Sequence, residues 1–276
     1  MKNTFQKNNF FDQTNREIIL REIPKKIISV VPSQTELLYD LGLDEEVIGI
    51  TKFCIHPEKW FREKTRIGGT KKLDIEKIKL LNPDLIIANK EENEKSQIEE
   101  LARDFNVWIS DIKTLDDALQ MILRIGEITN KKERAGEIKQ KIEIEFEKII
   151  FRQVKKKFLR TAYFIWKKPF MVAGEDTFID EMLRICGLEN VFPKNIFSDT
   201  RNTRYPEISA EQLKAANPEI ILLSSEPYPF KEKHIEEFKL ICPQAKIKIV
   251  DGELFSWYGS RLLESPAYFA ELIKGF

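Results

Sequence analysis

The chain has 276 residues, 42% of them hydrophobic and 33% charged, a composition that fits a globular protein with one or two buried cores rather than a disordered segment. Its 45 basic and 45 acidic side chains cancel, which removes the sequence-independent attraction behind most nucleic-acid binding. Cys54, Cys186 and Cys242 are odd in number and have no CxxC spacing, which argues against a disulfide framework and a zinc ribbon.

The leader MKNTFQKNNFFDQTNREIIL is polar and lacks an uninterrupted apolar h-region, and no later stretch reaches about 18 apolar residues. As it stands, the sequence predicts neither an export signal nor a membrane span, and the compartment stays open between the cytoplasm and an exported location. KKIISVVP then reads as a short buried strand. SQTELLYDLGL follows as a helix, with Ser33 as its N-cap, Glu36 three positions later and Gly42 as its stop. EVIGIT is a second strand. In LDIEKIKLLNPDLIIA, Ile75, Ile78 and Leu81 recur at helical spacing, Asn82 and Pro83 end the helix, and Leu85 to Ala88 form a strand. SQIEELARDFN followed by VWISD repeats that order, and the alternation predicts an α/β layer with a mostly parallel sheet.

Residues 130–157 carry no proline and are rich in Glu and Lys, which predicts one long helix. Ile138, Ile142, Phe146 and Ile149 give it a narrow apolar stripe on an otherwise solvated rod. Downstream, RTAYFIW is a strand, DTFIDEMLRICGL a helix ending at Gly187, and SAEQLKAANPEIILLSS another helix-to-strand unit. Its stretch NPEIILLSSEP reads in the same pattern as NPDLIIANKEE, with Asn, Pro, one Ile and one Glu at matching positions. Setting Asn82 on Asn217, 135 residues apart, also sets Ile78 on Leu213, Lys79 on Lys214 and Glu91 on Glu226. An internal repeat at this distance predicts two similar lobes, 25–129 and 158–276, with 130–157 as the linking helix and a ligand cleft between the lobes.

Motifs for catalysis are missing: there is no HExxH, GxSxG, GxGxxG or P-loop pattern, and His56 and His234 are too few for a three-histidine metal site. Large aromatics instead gather near predicted strand ends: Phe53, Trp166, Phe170, Phe255, Trp257 and Tyr258. Rings of this kind hold flat ligands over a wide area at little entropic cost, and each serves equally well as ordinary core. His56, before Pro57 in a loop, is either an axial ligand to a metal carried in a macrocycle or a backbone-bonded loop residue. Glu91, Glu94 and Glu226 follow the repeated strands and are either a solvated rim or contacts for basic residues of a partner.

In order, SVVPSQTELLYDLGL, EVIGITKFCIHP, RIGGTKKLDIEKIKLLNPDLIIA, GEDTFIDEMLRICGLENVF and SAEQLKAANPEIILL resemble the helical-backbone substrate-binding proteins of ABC importers, most of all the vitamin B12-binding type, over roughly Lys25 to Ile273. The resemblance implies two Rossmann-like lobes joined by a rigid helix and no catalytic residues. It also implies a monomer without an intrinsic cofactor that carries cobalamin, haem or a ferric siderophore and lives in the periplasm or at the cell surface; the alternative is a cytosolic tetrapyrrole- or corrinoid-handling protein or enzyme on the same fold. The partner it implies is a membrane permease, met by one glutamate from each lobe: Glu91 or Glu94 in the first and Glu226 in the second. It sets Phe53 and His56 among the ligand-holding positions, with Ser33 beside them, and Thr70 where the B12 type can have a tryptophan.

Overall fold

The computed structural model describes residues 8–154, 157–193 and 204–276. Its chain forms two compact units: residues 1–112, 116–141 and 258–261 make unit 1, and 113–115, 142–257 and 262–276 make unit 2.

Unit 1 opens with a hairpin where the sequence reads as a polar leader: β1 (Asn8–Phe11) pairs antiparallel with β2 (Glu17–Leu20). Asp12 holds its turn, its Oδ1 accepting from the Thr14 and Arg16 amides at 2.8 and 2.9 Å, while Phe10, Ile18 and Leu20 are buried. After β3 (Ile27–Ser29), helix α1 runs over Pro32–Asp40. Pro32 occupies its first turn, where a missing N–H costs nothing, and Val31 is the N-cap with no side-chain bond, so Ser33 lies inside the helix instead of capping it. Next come β4 (Val47–Ile50), α2 (Glu58–Glu63), and the short strands β5 (Thr65–Arg66), β6 (Gly68–Gly69) and β7 (Lys72–Leu73). Helix α3 (Ile75–Leu81) leads to β8 (Leu85–Asn89), then α4 (Lys95–Leu101), β9 (Val107–Ser110) and α5 (Leu115–Ile128). The main sheet has the order β5-β4-β3-β8-β9 and is parallel throughout. Every residue of β8 is buried, as a parallel strand covered on both faces requires.

Helix α6 (Lys132–Gln153) passes from unit 1 into unit 2 at residue 142. Its predicted stripe, Ile138, Ile142, Phe146 and Ile149, is buried at 3% exposure or less; Lys155 and Lys156, inside the predicted helix 130–157, lie outside the described residues.

Unit 2 continues with β10 (Leu159–Trp166), β11 (Phe170–Val172), α7 (Phe178–Ile185), β12 (Leu188–Asn190), β13 (Glu207–Ile208), α8 (Ala210–Ala216) and β14 (Ile220–Ser224). It closes with α9 (Ile235–Ile241), β15 (Lys246–Val250), α10 (Gly252–Ser256) and α11 (Ser265–Lys274). The sheet order is β13-β11-β10-β14-β15, with β12 also on β10. Strands β10, β14 and β15 are parallel, and β11 returns antiparallel beside β10. The core between this sheet and α8 and α9 is built from Phe164, Leu213, Ile221, Leu223 and Phe238.

The repeated sentence folds the same way twice. Asp74 and Ser209 cap their helices by accepting from the Lys77 and Gln212 amides. Asn82 and Asn217 end them in the left-handed region, at φ 49° and 45°, which asparagine tolerates better than most residues. The acid after each Asn-Pro then clamps the start of the neighbouring strand: Asp84 Oδ2 accepts from the Lys26 amide at 2.9 Å and Glu219 Oε2 from the Arg160 amide at 3.0 Å.

Candidate functional site

In open parallel sheets the carboxyl ends of the strands border the ligand crevice, because the helix-bound loops diverge there. The two units are taken in turn.

In unit 1 the chain leaves β4 through Thr51, Lys52 and Phe53. Thr51 and Cys54 turn inward: the Cys54 thiol, fully buried, meets the Thr35 and Thr51 hydroxyls at 3.1 Å each, and burial pushes its pKa up to about 11. Phe53 turns outward. Its ring is 51% exposed, carries the Lys52 ammonium 5.1 Å from its centre, and rests on Gly69, where a Cβ would sit 2.9 Å from the ring edge. About half of this residue stays in water beside a strand end, so a ligand that covered it would gain burial there. His56 is half-buried in the same loop. Thr70 is half-buried and its carbonyl accepts from Asn93 Nδ2 at 3.1 Å.

Asn93, absent from the sequence reading, ties this edge together. Its Nδ2 also donates to the Val30 carbonyl at 3.1 Å, and its Oδ1 accepts from the Asn89 amide at 2.8 Å. The sequence signal is only an asparagine shortly after a strand, too common to single out. Glu91 is half-buried, with its amide on Asn89 Oδ1 and its carbonyl accepting from Lys71 Nζ at 2.6 Å; Glu94 is exposed at the start of α4. Ser33 is a correction: at 1% exposure in α1 it offers no surface to a ligand. Its Oγ has no partner of hydrogen-bond geometry, although it lies near enough to the Tyr258 hydroxyl to oppose the rise in that pKa.

Tyr258 belongs to unit 1 and is likewise buried, at 6% exposure, donating to Glu92 Oε1 at 2.7 Å. Burial, reinforced by that carboxylate, holds its hydroxyl well above the usual tyrosine pKa. The aromatic pair expected to face a ligand at Trp257 and Tyr258 is bonded instead to two half-buried glutamates, Glu226 and Glu92.

In unit 2, Trp166 ends β10 and is 38% exposed, with Nε1 donating to the Lys168 carbonyl at 3.1 Å and Tyr228 packed edge-on at 5.5 Å. Tyr228, two residues after Glu226, is a further ring at this edge that the sequence reading passed over. Phe170 packs between Phe164 and Phe238, at 5.6 and 5.2 Å, and serves the core. Phe255 is also a correction: at 0% exposure it is enclosed by Tyr163 and Phe269 and has no face left for a ligand.

Glu226 departs from its expected role as a docking carboxylate. Its Oε1 accepts from Ser256 Oγ at 2.8 Å and Trp257 Nε1 at 3.0 Å, and burial raises its pKa above the ordinary glutamate value. Trp257, 6% exposed, spends its only side-chain donor on that bond. Among the described residues no cluster of three or more His, Cys, Asp or Glu forms a metal cage, and no helix is long and apolar enough to cross a membrane.

The sequence pattern of the periplasmic binding protein family matches residues 27–240. An uncharacterized ABC transporter substrate-binding lipoprotein, YvrC of Bacillus subtilis, is 26% identical over 280 residues, covering 95% of this chain and 84% of its own. A vitamin B12-binding protein of Pectobacterium atrosepticum is 27% identical over 250 residues, covering 87% and 85%. Among solved structures, the periplasmic vitamin B12 binding protein BtuF of Vibrio cholerae superposes with a TM-score of 0.78 at 21% identity, over 91% of this chain and 97% of that one.

Proposed function

The chain belongs to the periplasmic binding protein family, and from that premise we propose that it is the substrate-binding component of an ABC importer, carrying a metal chelate, a corrinoid foremost, without acting on it chemically. The observation that carries this reading is Phe53, an exposed ring set on a glycine at the carboxyl end of a parallel strand. Trp166 at the end of β10 supplies a comparable surface in unit 2. Vitamin B12-binding relatives support the choice of a corrinoid, because a flat macrocycle is what such rings cover best.

In unit 1 the residues proposed to hold ligand are Phe53, Thr70 and, toward the metal of the cargo, His56; in unit 2 they are Trp166 with Tyr228 behind it. Glu91 and Glu94, the first half-buried and the second exposed, remain the carboxylates offered to basic residues of a permease. Exchange of both for Lys is expected to abolish the complex with that permease while leaving ligand affinity unchanged.

Titration with cyanocobalamin, cobinamide, haemin and a ferric hydroxamate, followed by tryptophan fluorescence, tests the reading. Saturable quenching by cyanocobalamin is the expected result, and Phe53→Ala should weaken it by about 1–3 kcal/mol. Four flat traces would overturn the chelate assignment. Quenching by haemin or the hydroxamate alone would move the cargo to that class.

A further inference from the structure

The two main sheets differ at one matched position on their edge strands. With Asn82 set on Asn217, Asn89 of β8 falls on Ser224 of β14. Asn89 pairs with Ser110 and Ser224 with Val250, so Ile109 of β9 and Ile249 of β15 stand at the same place on the two edges. In a parallel ladder alternate residues give both backbone groups to the inner neighbour, and the residues between them turn theirs outward. Val250 is of the first kind, its carbonyl accepting from the Ser225 amide at 2.9 Å, which leaves Ile247 and Ile249 facing out.

In unit 1 the outward groups are covered. The Ile109 amide donates to Asp12 Oδ2 at 3.2 Å, its carbonyl accepts from the Gln13 amide at 3.2 Å, and Gln13 Oε1 accepts from the Asp111 amide at 3.3 Å. The cover is a short acidic stretch of chain laid along the strand. In unit 2 the Asp251 amide, matching Asp111, donates to the Tyr268 hydroxyl at 2.9 Å, but the amides and carbonyls of Ile247 and Ile249 meet no partner among the described residues. Both residues are half-buried. An open edge of this kind is a template for another strand.

The side chains along β15 choose that strand. Lys246, exposed, and Lys248, half-buried, lie two positions apart and so share one face. Lys246 Nζ donates to the Phe276 carbonyl at 2.9 Å and Lys248 Nζ stands 4.5 Å from the centre of the Phe276 ring; neither forms an ion pair with Asp or Glu among the described residues. Ile247 and Ile249 pack on the core from the opposite face. Lysine on an edge keeps strands away by setting a charge they must match, and an acidic strand matches it. A second copy running antiparallel, with Ile247 and Ile249 exchanging bonds, would set Lys248 directly against Lys248, where like charges repel.

We infer that β15 is extended by a strand from an acidic polypeptide, with Asp or Glu at alternate positions against Lys246 and Lys248 and apolar residues between them. Main-chain bonds to Ile247 and Ile249 hold that strand, and the two lysines select it. The proposal uses none of the residues proposed to hold ligand and is independent of that reading.

Amide exchange followed by nuclear magnetic resonance on the full chain tests it, with alternating Glu-Val and Lys-Val heptapeptides as probes. In the free chain the Ile249 amide should exchange faster than that of Ile109. The Glu-Val peptide should slow exchange at Ile247 and Ile249 and leave Ile109 unchanged, less so as salt is added; the Lys-Val peptide should protect neither. Lys246→Glu/Lys248→Glu should weaken the Glu-Val peptide about tenfold and reverse the preference, with an unchanged far-ultraviolet circular dichroism spectrum. Ile249→Pro, which an edge tolerates because the N–H it removes faces outward, should abolish binding. Slow exchange at Ile249 in the free chain overturns the proposal, since the edge is then covered already. Equal protection by both peptides or by neither, or unaltered affinity of the charge-reversed variant, also overturns it. Protection of Ile249 that rises with protein concentration alone would give the edge to a second copy instead.

Discussion

The loops after β8 and β14 begin as copies and end as opposites. In both, the last residue of the strand turns its side chain to the amide two positions on: Asn89 Oδ1 accepts from Glu91 at 2.8 Å, and Ser224 Oγ from Glu226 at 3.3 Å. Beyond that point unit 1 spends amides, with Asn89 and Asn93 binding backbone on several sides, and keeps Glu94 in water. Unit 2 instead turns its glutamate inward to Ser256 and Trp257, and the Tyr163 hydroxyl donates to Ser224 at 3.2 Å behind it. A duplicated backbone thus fixes where a side chain starts, while the neighbours inherited by each copy decide which groups it bonds.

The sharpest break in that comparison comes from removing the shared strand-end residue. Asn89→Ala deletes acceptors for the Glu91 and Glu92 amides and donors to Ser110, in a site 3% exposed, and should cost about 3 kcal/mol. Ser224→Ala removes fewer bonds and should cost about 1.5 kcal/mol, both read from urea midpoints. Next in size, Trp257→Phe leaves Glu226 with one donor fewer and should cost about 1–2 kcal/mol at neutral pH. Asn82→Ala and Asn217→Ala should each cost about 1 kcal/mol, because alanine pays more than asparagine for positive φ, whereas the glycine variants should stay close to the parent. Equal losses at these two positions would show that the copies are energetically as well as geometrically alike.

The smallest effect is also the most selective. The Glu226 pKa is raised in the folded chain, so folding favours its protonated form. That carboxyl takes nothing from stability below its unfolded pKa, and it opposes folding increasingly as pH rises from there through the folded value. Glu226→Gln should therefore melt above the parent near neutrality, with the gap closing on acidification through the ordinary glutamate range. A constant gap across that range would place the effect in packing rather than ionisation.

Helix and strand alternation was readable because parallel strands are continuous apolar runs and the helices between them carry caps, as in Asp74, Ser209 and the two Asn-Pro stops. The hairpin at Asn8–Leu20 was not, since its buried face rests on only Phe10, Ile18 and Leu20 within a polar leader. Helix α5 is absent from the reading although Leu119, Ile122 and Ile125 recur at helical spacing. At the site, aromatic identity was legible and orientation was not. FSWYGS reads as one aromatic cluster, yet Phe255 fills core, while Trp257 and Tyr258 bond to glutamates 31 and 166 residues away in sequence. Phe53 and Phe255 look alike in a string of letters; only the glycine beneath one and the rings around the other separate them.

The return of Tyr258–Arg261 to unit 1 means that neither half of this molecule is an unbroken length of polypeptide. Arg261 grips Glu36 with two bonds, at 3.0 and 2.7 Å, and Gly259 approaches the Ser33 carbonyl so closely that a methyl group there would stand 2.4 Å from it. A fragment cut at residue 141 would lack those partners and both Arg261 bonds to the Glu36 carboxylate. Supplying the missing stretch as a separate peptide should restore part of its melting temperature, so this architecture suits complementation from two pieces better than autonomous expression of one.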